Sequence, residues 1–271
     1  MMYGGTDMIA VSGFPVSPAD VAALPEPQRT IFRMKERSPV TYRYDSLNTL
    51  LFELNMRANI VRAARALHQS GAAFAGFDRT RCNPRYWTRT DEGGCRLNFN
   101  ATPSDAIRDI FVNGYLYAFE CAMAVVIVLY RGALDTMGDA AFNRYFRNLY
   151  LHDWNYDSDL RLRTSSDTRE AFPGDVLYFN NPDFSPETPE WRGENVILLE
   201  DGLFYGHGIG ITTADHMISV LNRHRAPGST TSAYLMDLVV YPDYAYLSTY
   251  RYGSTGSERI LARIGDIEYA R

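Results

Sequence analysis

From Ser46 onward, Leu47, Leu50, Leu51, Leu54, Ile60, Val61, Ala64 and Leu67 recur at the spacing of one helical face, and the run stops before Gly71. The pattern predicts a long amphipathic helix. Ahead of it, Ser17-Pro18 is an N-cap followed by a proline at the first helical position, opening a short helix through about Leu24. Pro25-Glu26-Pro27 punctuates that helix before a second turn or helix to Arg37. A polar, turn-rich stretch from Gly76 to Asn100 carries Cys82 and Cys95. Ser104-Asp105 caps a helix to Asn113, Gly114 breaks it, and the apolar run after Tyr115 predicts a buried helix from Cys121 to about Leu134. Another helix is expected from about Asp139 to Tyr150, followed by the acidic segment Asp153-Trp154-Asn155-Tyr156-Asp157-Ser158-Asp159. That segment resembles half a calcium loop without its glycine and terminal glutamate, and reads as a solvated loop.

Beyond Pro173-Gly174 the period becomes that of strands: Asp175–Asn180, Glu194–Glu200, Leu203–Ile211, Ala233–Tyr241 and Ala245–Tyr250, interrupted by a helix over Ala214–Arg223. Helices first and a largely antiparallel sheet second make an α+β chain.

Composition narrows the class. At 271 residues and 46% hydrophobic content, with no linker, repeat or like-charge block, the chain reads as one domain over 1–271, its Pro-rich residues 1–45 lying as an arm or lid. The net charge of −5 and scattered arginines give no basic stripe, so nucleic acid is not an expected partner. Ala118 to Tyr130 is too short to span a membrane and is interrupted by Glu120. Three cysteines without paired spacing point to a reducing compartment and not to a disulfide framework. The separation of Cys82 and Cys95 fits neither a zinc site nor a redox motif, and no metal or cofactor is expected. Met1–Asp7 lacks the basic and apolar regions of a secretion signal, so synthesis is expected in the cytosol. Lys35 is the only lysine, and Gln28 and Gln69 are the only glutamines. A GC-rich genome would account for the lysine count, but less readily for the glutamine count.

The candidate chemistry starts at Cys121, at the head of its helix. Orphan N–H groups and the helix dipole favour a thiolate there, and can lower a thiol from about 8.5 into roughly 3.5–7.5. An inert core cysteine is the plain alternative. Downstream, Asp201-Gly202 between two apolar runs signals a hairpin with a two-residue turn. With Glu200 facing Leu203, Val196 faces His207 and Glu194 faces Ile209. Glu194 and His207 then share a face as diagonal neighbours, about 7–8 Å apart. Together they offer a base and an orienting group for a thiol nucleophile. A solvent-facing carboxylate and a satisfied histidine are the ordinary readings. The flanking Gly206 and Gly208 favour close approach at His207.

The segments Tyr117-Ala118-Phe119-Glu120-Cys121-Ala122-Met123-Ala124, Phe172-Pro173-Gly174-Asp175-Val176-Leu177-Tyr178-Phe179-Asn180, Trp191-Arg192-Gly193-Glu194-Asn195-Val196 and Tyr205-Gly206-His207-Gly208-Ile209-Gly210-Ile211 resemble the bacillar protein-glutamine γ-glutamyltransferases, the small transglutaminases of spore-forming bacteria. Nearly the whole chain takes part, with one local departure at Cys95, where an aromatic is more usual. The resemblance implies a papain-like core related to the NlpC/P60 peptidases and a calcium-independent reaction. The expected product is the ε-(γ-glutamyl)lysine bond in spore-coat proteins. It implies Cys121 as nucleophile, Glu194 as its partner, His207 nearby and Glu120 as an auxiliary. Trp191 and Tyr178 would wall a tunnel to the thiol, and Asn195 would contact substrate. The partners would be proteins bearing glutamine and lysine, met after synthesis in the mother cell and deposition on the coat.

In that chemistry the thiolate attacks a glutamine carboxamide, ammonia leaves, and a lysine amine resolves the acyl-thioester. The amine needs a base, because its ordinary pKa is about 10.4. A chain nearly without lysine and glutamine would also resist cross-linking itself. Two other readings stand beside this one: a cysteine amidase or peptidase of the NlpC/P60 class, and a non-catalytic coat protein whose 19 tyrosines serve as surface or cross-linking sites.

Overall fold

The computed structural model describes residues 8–252, 261–264 and 267–270, so that Met1–Asp7, on which the expectation of cytosolic synthesis rests, lies outside the described residues. Strands β1 (Ile9–Val11), β2 (Phe14–Pro15) and β3 (Tyr42–Tyr44) form a small sheet, with helices α1 (Pro18–Ala23) and α2 (Gln28–Glu36) between β2 and β3 in sequence. The Ser17 hydroxyl accepts the Asp20 N–H at 3.1 Å, so α1 starts where the cap motif places it. Helix α3 (Leu47–Gln69) starts at Ser46, whose hydroxyl accepts the Thr49 N–H. Its face carrying Leu50, Leu54 and Ala58 packs with Ile9, Leu24, Ile31 and Phe32.

A buried ionic cluster pins this N-terminal layer. Lys35 Nζ and Arg57 Nε donate to one Glu53 oxygen at 2.8 and 2.7 Å, the Tyr44 hydroxyl donates to the other, and Arg57 Nη1 reaches Asp175 at 2.6 Å. Burial opposes the Glu53 charge, but Lys35 and Arg57 outweigh it and hold the carboxyl down at about 2.

The middle of the chain runs through β4 (Ala73–Phe74), β5 (Trp87–Arg89), β6 (Cys95–Leu97), α4 (Pro103–Val112), β7 (Ala118–Phe119), α5 (Cys121–Met137), α6 (Asp139–Tyr145) and β8 (Tyr150–Leu151). The helix expected through Tyr150 ends early because β8 pairs with β6. The turn-rich stretch also folds into a β5–β6 hairpin and overturns one expectation: Cys82 and Cys95 form a disulfide, their Cα atoms 6.2 Å apart. Tertiary folding brings the two together, so their sequence spacing carries no signature of a pair.

The last part comprises β9 (Leu162–Ser165), β10 (Val176–Asn180), β11 (Gly193–Leu198), β12 (Phe204–Gly206), β13 (Gly210–Thr212), α7 (Ala214–Arg223), β14 (Tyr234–Pro242), α8 (Tyr244–Tyr252), β15 (Leu261–Ile264) and β16 (Ile267–Ala270). Six strands order as β13-β12-β11-β10-β14-β9, every pairing antiparallel. One face of this sheet, with Ile197 and Tyr205, joins α3 and α5 in the main core; Val196 and Phe204 on the other face pack with Met217 and Leu221 of α7. Every residue of α5 from Cys121 to Tyr130 is buried, as expected of a central helix. No helix of the described residues is long and apolar enough to cross a membrane.

Three sheet expectations change. Ala245–Tyr250 belongs to helix α8, because Asp243 Oδ1 accepts the Tyr246 N–H at 3.1 Å and Tyr244 and Leu247, one turn apart, are buried. Leu203–Ile211 is broken into β12 and β13 by a turn in which the Ile209 N–H reaches the Gly206 carbonyl. The hairpin register also slips by one. Leu199 pairs with Leu203 around a three-residue loop, Glu200-Asp201-Gly202, whose last residue has φ +73°. Val196 therefore faces Gly206 instead of His207, and the slip places Glu194 and His207 on opposite faces of the hairpin.

Candidate active site

Strand β7 pairs in parallel with β4, Ala73 opposite Ala118 and Phe74 opposite Phe119, and delivers the chain to the start of α5. Glu120 is the N-cap. Its two carboxylate oxygens accept the N–H groups of Ala122 and Met123, each at 2.6 Å. The orphan donors expected to stabilise a Cys121 thiolate are thus already spent on a carboxylate.

Cys121 is 8% exposed. Burial pushes its thiol well up, and the nearby charges of Glu194 and Glu120 push it further, against hydrogen bonds from the main chain and side chain of Asn195. The Asn195 amide donates to Sγ at 3.4 Å. The resting group is a protonated thiol, contrary to the thiolate expected from its place on the helix.

Glu194, the residue before Asn195 on β11, is buried, and the Gly208 N–H donates to its Oε1 at 3.0 Å. Burial raises its carboxyl to about 8, with Glu120 adding to the rise and Gly208 opposing it. Gly206 is required beneath it, since a Cβ there would lie 2.7 Å from Glu194 Cγ.

His207 is brought close but turned away. Its Nε2 meets the Ala73 carbonyl at 3.1 Å and its Nδ1 the Tyr205 hydroxyl at 2.9 Å. A carbonyl only accepts, so these partners assign the hydrogen to Nε2 and leave Nδ1 accepting. The ring stacks on Phe119 at 4.7 Å. Burial pushes its pKa down to about 4, against the Ala73 contact, so the imidazole is neutral at pH 7.

A cavity of about 860 Å³ opens onto the thiol, its wall including Glu120, Cys121, Asn195, Tyr178, Phe74 and Trp154. Tyr178 stands where a tunnel wall was expected. Trp191 does not line it; the indole stacks on His224 at 4.0 Å and backs Phe74 at 6.0 Å. The acidic segment is more than a solvated loop, because Asp153, Trp154 and Tyr156 face the cavity. Trp154 and Phe74 line the cavity without having been expected there. A tryptophan set among aspartates was the available signal for the first, whereas Phe74 carries none. Among the described residues no group of three His, Cys, Asp or Glu could hold a metal ion.

The family model described as protein-glutamine gamma-glutamyltransferase matches residues 8–251. The chain is 46% identical over 242 residues to the Bacillus pumilus protein of that name, covering 89% of this chain and 98% of the other. It is 45% identical over 235 residues to the protein of that name from Halalkalibacterium halodurans, covering 87% and 82%. Among solved structures, the transglutaminase from Geobacillus stearothermophilus without its C-terminal extension matches with a TM-score of 0.73 and 51% identity, over 76% of this chain and 98% of that one.

Proposed function

The chain belongs to the protein-glutamine gamma-glutamyltransferases, acyltransferases with protein substrates, and from that membership we propose that Cys121 is the nucleophile and Glu194 the group that moves its proton. The observation that carries the proposal is the buried thiol in the cavity wall with an amide donor on its sulfur and a carboxyl raised to about 8 close enough to perturb it.

Sulfur bonds to the carboxamide carbon of a glutamine as the thiol proton passes to Glu194. The tetrahedral oxygen carries negative charge, and the Asn195 amide, which donates to the sulfur in the resting site, is its proposed donor. The C–N bond breaks, Glu194 returns the proton, and ammonia leaves a thioester. A lysine amine that has lost one proton to solvent then bonds to the acyl carbon. Glu194 takes its second proton and hands it to the sulfur as the C–S bond breaks, which restores the thiol and the ionised carboxylate and leaves an ε-(γ-glutamyl)lysine link. Tyr178, Phe74 and Trp154 keep water from the thioester and line the path of the lysine methylenes. Each proton moves through a group of the chain or solvent, so no step is assigned to calcium. Glu120 acts as cap and charge on α5, and His207 takes no part in proton transfer.

A cysteine heading a helix packed on an antiparallel sheet supports a papain-like, NlpC/P60-related core. The motif resemblance supports spore-coat proteins as substrates, with synthesis in the mother cell. The Cys82–Cys95 disulfide supports a final residence outside the reducing cytosol. The test is a glutamine-donor peptide supplied with a labelled primary amine. Amine-bearing product, absent with Cys121→Ala, supports the reading. Glutamate as the main product would make the protein an amidase, and an active Cys121→Ala would remove the nucleophile.

A further inference from the structure

Resting on the reading of Cys121 and Glu194 as the reacting pair, we propose that His207 is a positioning residue that joins the lead-in to the nucleophile and the cradle of the carboxylate into one unit. Its Nε2–H donates to Ala73 at 3.1 Å, on the strand that pairs with the lead-in to Cys121. Its ring lies on Phe119, two residues before Cys121, at an interplanar angle of 23°. Its Nδ1 accepts from Tyr205, whose side chain belongs to the main core. The next residue, Gly208, donates to Glu194, and a Cβ at Gly208 would meet Phe74 of the cavity wall at 3.3 Å. A single imidazole therefore ties β4, the β7 lead-in to the thiol and β12 together, and the residue after it holds the carboxyl. With both nitrogens engaged and no place in the cavity wall, it has no free edge for a proton.

The experiment compares wild type with His207→Ala, His207→Gln and Glu194→Gln by amine incorporation over a range of pH, with iodoacetamide labelling of Cys121 alongside. A glutamine side chain can still donate an N–H toward Ala73. Loss of alignment costs about 100-fold in kcat for His207→Ala, the size of effect that a misplacement near 1 Å can have. The Gln variant recovers most of that loss, and the apparent pKa near 8 is unmoved in both. A folded His207→Gln as inactive as the Ala variant, with one limb of the pH profile gone, would give His207 a proton and overturn the proposal, as would full activity in His207→Ala. If His207→Ala does not fold, the Gln variant and the labelling rate carry the test alone. Full activity in Glu194→Gln would instead sink the underlying pair.

The placement of the chain's single lysine carries a second inference. Lys35 is 2% exposed, donates to Glu53 at 2.8 Å, and lies over the Tyr42 and Phe172 rings at 3.9 and 4.6 Å. We infer that the folded enzyme is blank as an acyl acceptor through its side chains, so that copies do not weld to one another. Gln28 is engaged with Asn55, whereas Gln69 is exposed in the last turn of α3. The block therefore falls on the amine side.

Active enzyme is given a fluorescent glutamine-donor peptide and three targets in the Cys121→Ala background: the native chain, the reduced and unfolded chain, and the chain with Arg33→Lys, an exposed position on α2. A lysine-rich protein serves as the control for transfer itself. Label is expected at Lys35 of the unfolded chain and at position 33 of the variant, with no side-chain label on the native chain. Label on Lys35 of the native chain, or none on the variant while the control is labelled, would overturn the inference.

Discussion

The amide of Asn195 touches the sulfur of Cys121 at 3.4 Å, while Glu194, its neighbour on β11, is turned to Gly208 and held by that residue's N–H at 3.0 Å. One strand thus supplies, from successive residues, the amide that touches the sulfur and the carboxyl whose charge reaches the thiol. Asn195→Ala removes the donor, and kcat for amine incorporation should fall by roughly 10²–10³-fold, as when an oxyanion donor is deleted. Asn195→Asp should be worse, since it sets another negative charge beside the sulfur.

The pH profile follows from Glu194. Its carboxyl is raised to about 8, so the basic form grows as pH rises through that value. Measured kcat/KM should climb with an apparent pKa near 8. In Glu194→Gln that limb should vanish and the rate fall by about 10²–10⁴-fold, the usual contribution of a positioned acid or base.

Glu120 caps α5 and adds to the pressure that keeps the thiol protonated. Glu120→Gln keeps one capping oxygen and removes the charge. Iodoacetamide should then modify Cys121 faster at pH 7, with stability falling by about 1 kcal/mol or less. An unchanged alkylation rate would show that this charge does not reach the sulfur.

Glu53 faces two buried cations. Glu53→Gln leaves Lys35 and Arg57 without their shared anion and should lower unfolding free energy by about 3–5 kcal/mol in a denaturant titration. The native carboxyl lies at about 2 against an ordinary 4.5, so its contribution is complete above 4.5 and is lost as pH falls toward 2. The variant's stability should be flatter through that window.

Much of this was legible in the chain because local and global signals agree. Ser46 and the apolar face of α3 point to the same helix, and the motifs around Cys121, Tyr178 and Asn195 name side chains that meet at one cavity. The failures fall where tertiary contacts decide. The tyrosines of α8 have strand propensity, but the Asp243 cap and the burial of Leu247 prevail. An Asp-Gly pair can close a two-residue loop or end a three-residue one, and that choice turned His207 away from Glu194. Nor does local sequence say that Trp191 lies against His224 while Trp154 faces the thiol.

Because Cys82 and Cys95 are tied to each other, Cys121 is the chain's one free sulfhydryl. A thiol-directed dye applied without reductant to unfolded protein therefore counts one equivalent per chain, and three once the bridge is opened. Applied to folded protein, its uptake becomes a gauge of how many molecules in a preparation present a reachable nucleophile.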